Sequence, residues 1–242
     1  MKIKLLGKNL DDIRPLFPRF GLEEVENGAE TVIAYGGDGT LLSAEREYPQ
    51  LPKLAIRDAA TAPTCPVHEA AQVLERFVSG ALEKSFLPKL SAECRSGKLL
   101  AVNDLFLHNL DRSTALRYRV HIDGELYASE VRGDGVCMSS VHGSTAYYRC
   151  ITGGVFRVGV GLAFSNSMVE VDHLVLDSSS VVEVTVIRGP GVVIADNSPD
   201  TLQVEPGESV VFRQSAESAV VYGLDGFMCG RCRKLRHGVG NI

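Results

Sequence analysis

The chain has no tryptophan, only four methionines and no surplus of basic residues: 25 Lys and Arg stand against 30 Asp and Glu, a formal net charge of −5 over 242 residues. A basic stripe for nucleic acid or for an anionic membrane surface is therefore missing, and neither partner is expected. Long apolar runs are missing too. The opening MKIKLLG meets Asn9, Asp11 and Asp12 before a signal-peptide core could form, and no stretch approaches a membrane span. The six cysteines (65, 94, 137, 150, 229 and 232) are scattered rather than packed as in a small secreted scaffold, so reduced thiols and a cytoplasmic home are expected. There is no internal repeat, no low-complexity linker and no G-x-S-x-G elbow.

What is present is organised around Thr31 to Leu42, TVIAYGGDGTLL. Val32 and Ile33 belong to a short apolar run that stops at Gly36-Gly37-Asp38-Gly39, and Thr40 opens the next apolar segment. The pattern predicts a strand, a tight turn and a helix start. Glycines there let backbone N–H groups approach a ligand, and a helix N-terminus adds partial positive charge, a combination that suits phosphate. No Lys follows the last glycine, so the loop is not a P-loop, and its spacing is not that of a Rossmann fingerprint. A carboxylate among anion-attracting donors has a purpose if it faces a magnesium ion or takes a proton from a hydroxyl, and Asp38 is that carboxylate. The plainer reading is a turn whose Asp38 or Thr40 caps a helix.

Residues 1 to about 82 alternate strand and helix, as a small parallel α/β layer does. Lys2 to Leu6 and Leu54 to Ile56 read as strands, Asn9 to Phe17 as a helical turn broken by Pro15 and Pro18, Leu41 to Glu47 as helix, and His68 to Leu82 as an amphipathic helix ending at Gly80. Beyond Phe86 the pattern changes to alternation. Residues 99–107, 116–122, 126–131, 181–187, 192–195, 210–212 and 219–222 read as strands, with a hairpin signal at Asp123-Gly124. The expected fold is an N-terminal α/β domain plus a mostly antiparallel, sandwich-like β-rich domain. Its bounds are 1–82, joined by the C-terminal segment 223–242, and 83–222.

The β-rich half carries a second polar cluster: Arg132-Gly133-Asp134-Gly135, then Ser139 to Tyr147 (SSVHGSTAY), closed by Gly153-Gly154. A strand, a hydroxyl-rich loop and a helix start capped by Ser144 or Thr145 are implied. An acid, several hydroxyls and an aromatic face suit a ribose and a planar base; an ordinary capped helix is the alternative. Asn103-Asp104 interrupts the apolar AVNDLFLHN, where such residues are depleted, and marks either binding or a bulge.

Taken in order, GGDGT (36–40), ND (103–104), RGDGVCMSSVHGSTAYYRCITGG (132–154) and DSSSVVEVTV (177–186) resemble the NAD kinase family, and KLRHGVG (234–240) is similar to that family's closing helix, which returns to the first domain. The resemblance spans nearly the whole chain. It implies ATP-dependent phosphorylation of the 2′-hydroxyl of the adenosine ribose of NAD to give NADP, with magnesium carried by the nucleotide and a homodimer or homotetramer as the assembly. Carried over by residue, Asp38 becomes the base or metal-side acid, with Gly36, Gly37, Gly39 and Thr40 at the phosphates. Asn103 and Asp104 contact the adenosine, where the family usually has Asn-Glu. Arg132 and Asp134 lie towards the nicotinamide half, and Thr145, Ala146 and Tyr147 line the dinucleotide pocket.

Three departures bear on the acceptor. The family's glycine-rich Gly-x-Leu-Gly-Phe stretch is here RDAATAPTC after Ile56, Val141-His142 places an imidazole towards the adenine, and Cys150 stands where the family often has Ser. Two other readings follow: a related kinase acting on another alcohol (nucleoside, sugar or lipid head group), and a non-catalytic dinucleotide-binding protein. A serine hydrolase built on Ser144, His142 and Asp134 is disfavoured, since triad members converge from separate loops. Cys229-Gly-Arg-Cys232, with His237 nearby, is one C-x-x-C without a second pair and reads as two free thiols, with no metal ligand assigned.

Overall fold

The computed structural model describes residues 1–237, in two compact units: Met1–Leu87 joined by the segment from Ala219 onward, and Pro88–Ser218. The first unit contains strands β1 (Lys2–Gly7), β2 (Glu23–Glu24) and β3 (Thr31–Tyr35), helix α1 (Asp38–Glu47), strand β4 (Lys53–Ile56) and helix α2 (Ala70–Val78). Its parallel sheet runs β2-β1-β3-β4. Every residue of β3 and β4 is buried, the signature of strands covered on both faces. Ile33, Tyr35, Leu54 and Ile56 pack with Val73, Leu74 and Phe77 of α2 on the unit's core. α1 ends at Glu47, with Tyr48 as its C-cap, because Pro49 bars the residue before it from continuing the helix.

The second unit is antiparallel. Its strands are β5 (Lys84–Cys94), β6 (Gly97–Ala101), β7 (Asp104–Asn109), β8 (Leu116–Ile122), β9 (Glu125–Gly133) and β10 (Gly135–Ser139), then, after helix α3 (Tyr147–Thr152), β11 (Val160–Ser165), β12 (Leu174–Leu176), β13 (Val182–Arg188), β14 (Gly191–Ala195), β15 (Thr201–Val204) and β16 (Ser209–Tyr222). One sheet runs β12-β11-β10-β7-β14-β15; the other contains β16-β13-β8-β9 with the β5-β6 hairpin. Alternation decides the faces. Leu105, Leu107, Val136 and Met138 join Tyr118, Val184 and Phe212 in a shared core, while Phe106 and Cys137 point the other way, against Tyr148 and Phe156. Beyond β16, α4 (Leu224–Met228) and α5 (Gly230–His237) belong to the first unit. Of the expected closing helix, residues 238–242 lie outside the described residues.

Several expectations need correction. The helix read over 68–82 is a 3-10 turn at Pro66–His68 followed by α2, with Glu69 extended between them and Gly80 at φ +73° closing the end. The turn read as broken by Pro15 and Pro18 is 3-10 helix over Arg14–Phe20, where Pro15 sits in the first turn and needs no N–H partner. The strand read over 99–107 is two, β6 and β7, parted at Val102-Asn103. The segments read separately at 210–212 and 219–222 are one strand, β16.

Candidate active site

The glycine loop lies at the carboxyl end of β3. Gly36 donates its N–H to the Ile56 carbonyl at 2.8 Å, and a Cβ there would stand 2.2 Å from Thr40 Oγ1, so only glycine lets the chain turn this closely over its own next helix. Gly37 is the N-cap residue of α1, and Asp38 is the first residue of the helix, where negative charge meets the positive end of the dipole. No side-chain cap forms here, so neither Asp38 nor Thr40 has the plainer role considered for it. Asp38 instead points outward with its side chain 60% exposed, and its Oδ1 faces Arg57 Nη2 at 3.2 Å. The Arg57 side chain is 9% exposed, with its guanidinium carbon 3.8 Å from the centre of the Phe227 ring. That stack holds the guanidinium in place beside the carboxylate.

Arg57 opens the RDAATAPTC stretch, which has its own internal logic. The buried Asp58 accepts from Asn9 Nδ2 at 2.7 Å and from the Ala60 N–H at 2.9 Å, and its carbonyl accepts from Thr61 and Ala62. Where the related pattern has glycines, this loop is held by a carboxylate.

In the second unit, the Asn103-Asp104 pair sits where β6 gives way to β7. The Asp196 carboxylate accepts the backbone N–H groups of Val102, Asn103 and Asp104 at 2.7, 2.8 and 3.1 Å, and the Asp196 N–H returns to the Asp104 carbonyl. That capture breaks the ladder and explains two polar residues in an apolar run. The Ser140 Oγ donates to the Val102 carbonyl at 2.6 Å and accepts from the Gly143 N–H at 3.1 Å. Gly143 lies so close that a Cβ would be 2.1 Å from the Asn103 oxygen. The Asn103 and Gly143 motifs are therefore one packed corner.

Two acceptors face this corner. The Asn103 side chain is buried, and its Oδ1 has no hydrogen-bond partner among the described residues, a costly state that a ligand donor would relieve. Burial pushes Asp104 up to about 7, the negative Asp196 adds to that, and the Tyr147 N–H pulls partly back. Tyr147 leaves 48% of its surface exposed and sets its ring 5.3 Å from Phe106, whereas Tyr148 is buried edge-on against Phe156. Thr145 and Cys150 are exposed, His142 and Ala146 half-buried.

The expected cap is not there. Ser144 is buried and its Oγ serves the carbonyls of Val141 (2.8 Å) and Phe156 (3.1 Å), while α3 starts at Tyr147 with no side-chain cap. Arg132 and Asp134 are not brought to this corner. Gly135 pairs with His108 and Ser139 with Asp104, so the length of β10, roughly 13 Å, lies between. Arg132 pairs there with Glu130, and Asp134 accepts from Asn166 Nδ2 at 2.6 Å.

Three residues escaped the sequence reading: Arg57, Phe227 and Asp196. Arg57 could have been found, since it follows a buried parallel strand at its carboxyl end, where ligand sites in α/β sheets lie. No local pattern announces whose amides Asp196 collects or which guanidinium Phe227 covers.

No family model matches the chain. Among relatives, a protein named NAD kinase from Azoarcus sp. (strain BH72) is 33% identical over 148 residues, 57% of this chain and 50% of that protein. The NAD kinase of Natronomonas pharaonis is 28% identical over 210 residues (81% of this chain, 77% of that one), and that of Acidithiobacillus ferrooxidans 25% over 216 (84% and 73%). The chain thus spans half the length of the Azoarcus protein and about three quarters of the other two. Two solved structures share its fold. A NAD kinase from Archaeoglobus fulgidus in complex with ATP superposes with a TM-score of 0.76 at 17% identity, covering 96% of this chain and 99% of that one. Yeast NADH kinase complexed with NADH gives 0.71 at 19%, covering 83% and 65%. By its ordered motifs and its relatives this chain is similar to the NAD kinases, and it shares their fold.

Proposed function

We propose that the protein transfers the terminal phosphoryl group of ATP to the 2′-hydroxyl of the adenosine ribose of NAD, giving NADP. The observation that carries this reading is Asp38: an exposed carboxylate at the head of α1, in a glycine turn, steadied by a buried arginine. A loop that merely bound phosphate would gain nothing from negative charge there. Phosphoryl transfer needs a group that takes the attacking hydroxyl's proton, and otherwise mainly positioning and charge neutralisation.

The remaining roles follow the geometry of each loop. Gly36, Gly37, Gly39 and Thr40 make the phosphate turn. Asn103 Oδ1 and the Asp104 carboxylate accept from the adenosine's hydroxyl and amine donors, with His142, Thr145 and Ala146 beside them and the open face of Tyr147 for stacking. Cys150 lies one turn further along α3. Arg132 and Asp134, at the far end of β10, are assigned to the distal half of the dinucleotide. Magnesium would neutralise charge on the ATP phosphates, and Asp38, accessible at its outer edge, is the residue that would face it. The reading carries with it a homodimer or homotetramer, to which sheet edges lend themselves, and a cytoplasmic home, supported by six cysteines that are all unpaired. No helix of the described residues is long and apolar enough to cross a membrane.

One observation favours a second acceptor class. The loop after Ile56 is rebuilt around Asp58 and Cys65 rather than glycines, so the alcohol accepted could differ while the phosphate chemistry stays. Purified protein with ATP and magnesium, offered NAD, NADH, nucleosides and polyols, separates the readings. Formation of NADP supports the first; turnover only with another alcohol selects the second; phosphorylation of none, with nucleotide still bound, points to a non-catalytic binder.

A further inference from the structure

The C-x-x-C at the C-terminus does not stand alone. The fold of the first unit brings Cys229 and Cys232 to Cys65 and His68, more than 160 residues earlier in the chain. One ligand atom from each of the four lies within 4.8 Å of every other. Cys65 Sγ is 3.2 Å from His68 Nδ1, 3.4 Å from Cys232 Sγ and 3.9 Å from Cys229 Sγ, and Cys232 Sγ is 3.5 Å from His68 Nδ1. Metal–ligand lengths of about 2.3 Å to sulfur and about 2.0 Å to nitrogen in a tetrahedron require S···S edges of roughly 3.8 Å and S···N edges of roughly 3.5 Å. These four edges lie within about 0.4 Å of those figures, and the S···S ones are too long for any disulfide, whose sulfurs sit about 2.0 Å apart.

We propose that Cys65, His68, Cys229 and Cys232 form a structural zinc site of the three-cysteine, one-histidine type. Both knuckles have the short spacing that such sites use, C-x-x-H in a 3-10 turn and C-x-x-C entering α5. The outer partners fit as well. His68 Nε2 is 3.3 Å from Asp225 Oδ2, which Arg76 also holds at 3.1 Å. A carboxylate accepting the Nε2 proton leaves the Nδ1 lone pair aimed at the sulfurs, the arrangement that orients metal-bound imidazoles. Cys65, His68 and Cys232 are buried and Cys229 partly so, and four protein ligands leave a tetrahedral ion no open position for substrate. Three soft thiolates and an imidazole in a tetrahedron select zinc over magnesium or calcium, and binding releases the three thiol protons.

The site would have a purpose in this chain. Phe227 lies between Asp225 and Cys229 in sequence, and its ring is the one that covers Arg57. Fastening the C-terminal knuckle to the loop that follows Arg57 holds that stack, and through it the guanidinium beside Asp38. This inference does not depend on which alcohol is phosphorylated.

The decisive measurement is metal content of the full-length protein, purified under reducing conditions from zinc-supplemented medium. One zinc per chain is expected, surviving gel filtration and released by a mercurial thiol reagent. Chelator-stripped protein titrated with cobalt(II) alone should develop strong thiolate-to-cobalt charge-transfer absorption and the intense visible bands of a tetrahedral ion. Cys65→Ser and Cys232→Ser should lose the zinc; should they fail to fold, the wild-type cobalt spectrum decides. Asp225→Asn should keep the stoichiometry while weakening affinity roughly tenfold to a hundredfold. Fully reduced protein without zinc, a weak octahedral cobalt spectrum, full zinc retention by both serine variants, or a disulfide among these cysteines would overturn the proposal.

Discussion

Arg57 and Asp38 form an asymmetric pair: the guanidinium is packed away at 9% exposure while the carboxylate 3.2 Å from it is 60% exposed. A pair so open on one side contributes little stability, about 0–1 kcal/mol, so its effect lies in where it holds Asp38. Under the proposed reading, Asp38→Asn lowers kcat for NADP formation by about 10²–10⁴, the range for losing a proton acceptor, and leaves the far-UV circular dichroism unchanged. Arg57→Ala lowers kcat by roughly tenfold with KM for ATP little moved, and Arg57→Lys does not restore it, because an ammonium cannot both stack flat on Phe227 and reach the carboxylate. Unchanged kcat in Arg57→Ala would show that the pair has no positioning role.

Asp104 gives a pH signature. Its folded value of about 7 stands above the ordinary carboxyl value of 3.8, chiefly through burial. The folded chain therefore holds a proton that the unfolded chain has released between those two pH values, and Asp104's contribution to stability falls as pH rises from about 4 to about 7, by a few kcal/mol at most. Asp104→Asn removes that slope: its melting temperature should exceed wild type at pH 8, with the gap closing towards pH 4. The ionised form is also the better acceptor for a ligand hydroxyl, so KM for NAD should fall in wild type as pH passes upward through about 7 and stay flat in the variant. Identical pH profiles for the two proteins would contradict the assignment.

Gly143→Ala is expected to be severe. The new methyl meets a backbone carbonyl, Asn103 O, at 2.1 Å, and neither chain segment can swing aside as a flexible side chain would. A cost of roughly 1–3 kcal/mol or more follows, with loss of nucleotide binding, measurable by thermal melting with and without ATP and NAD. Gly153→Ala, a control at φ +72° with no neighbour within 4 Å, should lose stability through backbone strain alone and keep ligand-induced stabilisation.

Lys53 and Glu45 form an ion pair inside the first unit, with side chains 0% and 6% exposed. Lys53→Met strands the Glu45 carboxylate and should cost about 3–5 kcal/mol, whereas Lys53→Met with Glu45→Leu should recover most of it, since burying neither charge is close to neutral. Urea titrations of the single and double variants measure the difference.

Much of this was legible in the sequence. β3 announces itself as a buried β-branched run, Gly36 and Gly37 as a turn, and the alternation beyond Phe86 as antiparallel strands; each is a local preference that the tertiary fold respects. The turn that carries Asp38 and the oddity of two polar residues at Asn103-Asp104 were legible for the same reason. The residues that escaped are those defined by partners far along the chain. Asp196 acts on amides over ninety residues earlier, Phe227 on Arg57, and Cys65 and His68 on the terminal C-x-x-C. His68 was drawn into an amphipathic helix by apolar spacing, whereas the extended Glu69 turns it out of that helix and into the thiol cluster. The capping role expected of Ser144 failed for a related reason: its buried hydroxyl turns to the carbonyls of Val141 and Phe156, and α3 starts without a side-chain cap.

The Asp196 carboxylate carries one more implication. Three convergent amides would ordinarily invite a phosphate or a sulfate, and in this corner the polypeptide has already furnished its own anion. Under the proposed reading, a ligand beside Asn103 Oδ1 and the Asp196 carboxylate meets acceptor oxygens at those two points, so a hydroxyl or amine fits against them better than a phosphate does.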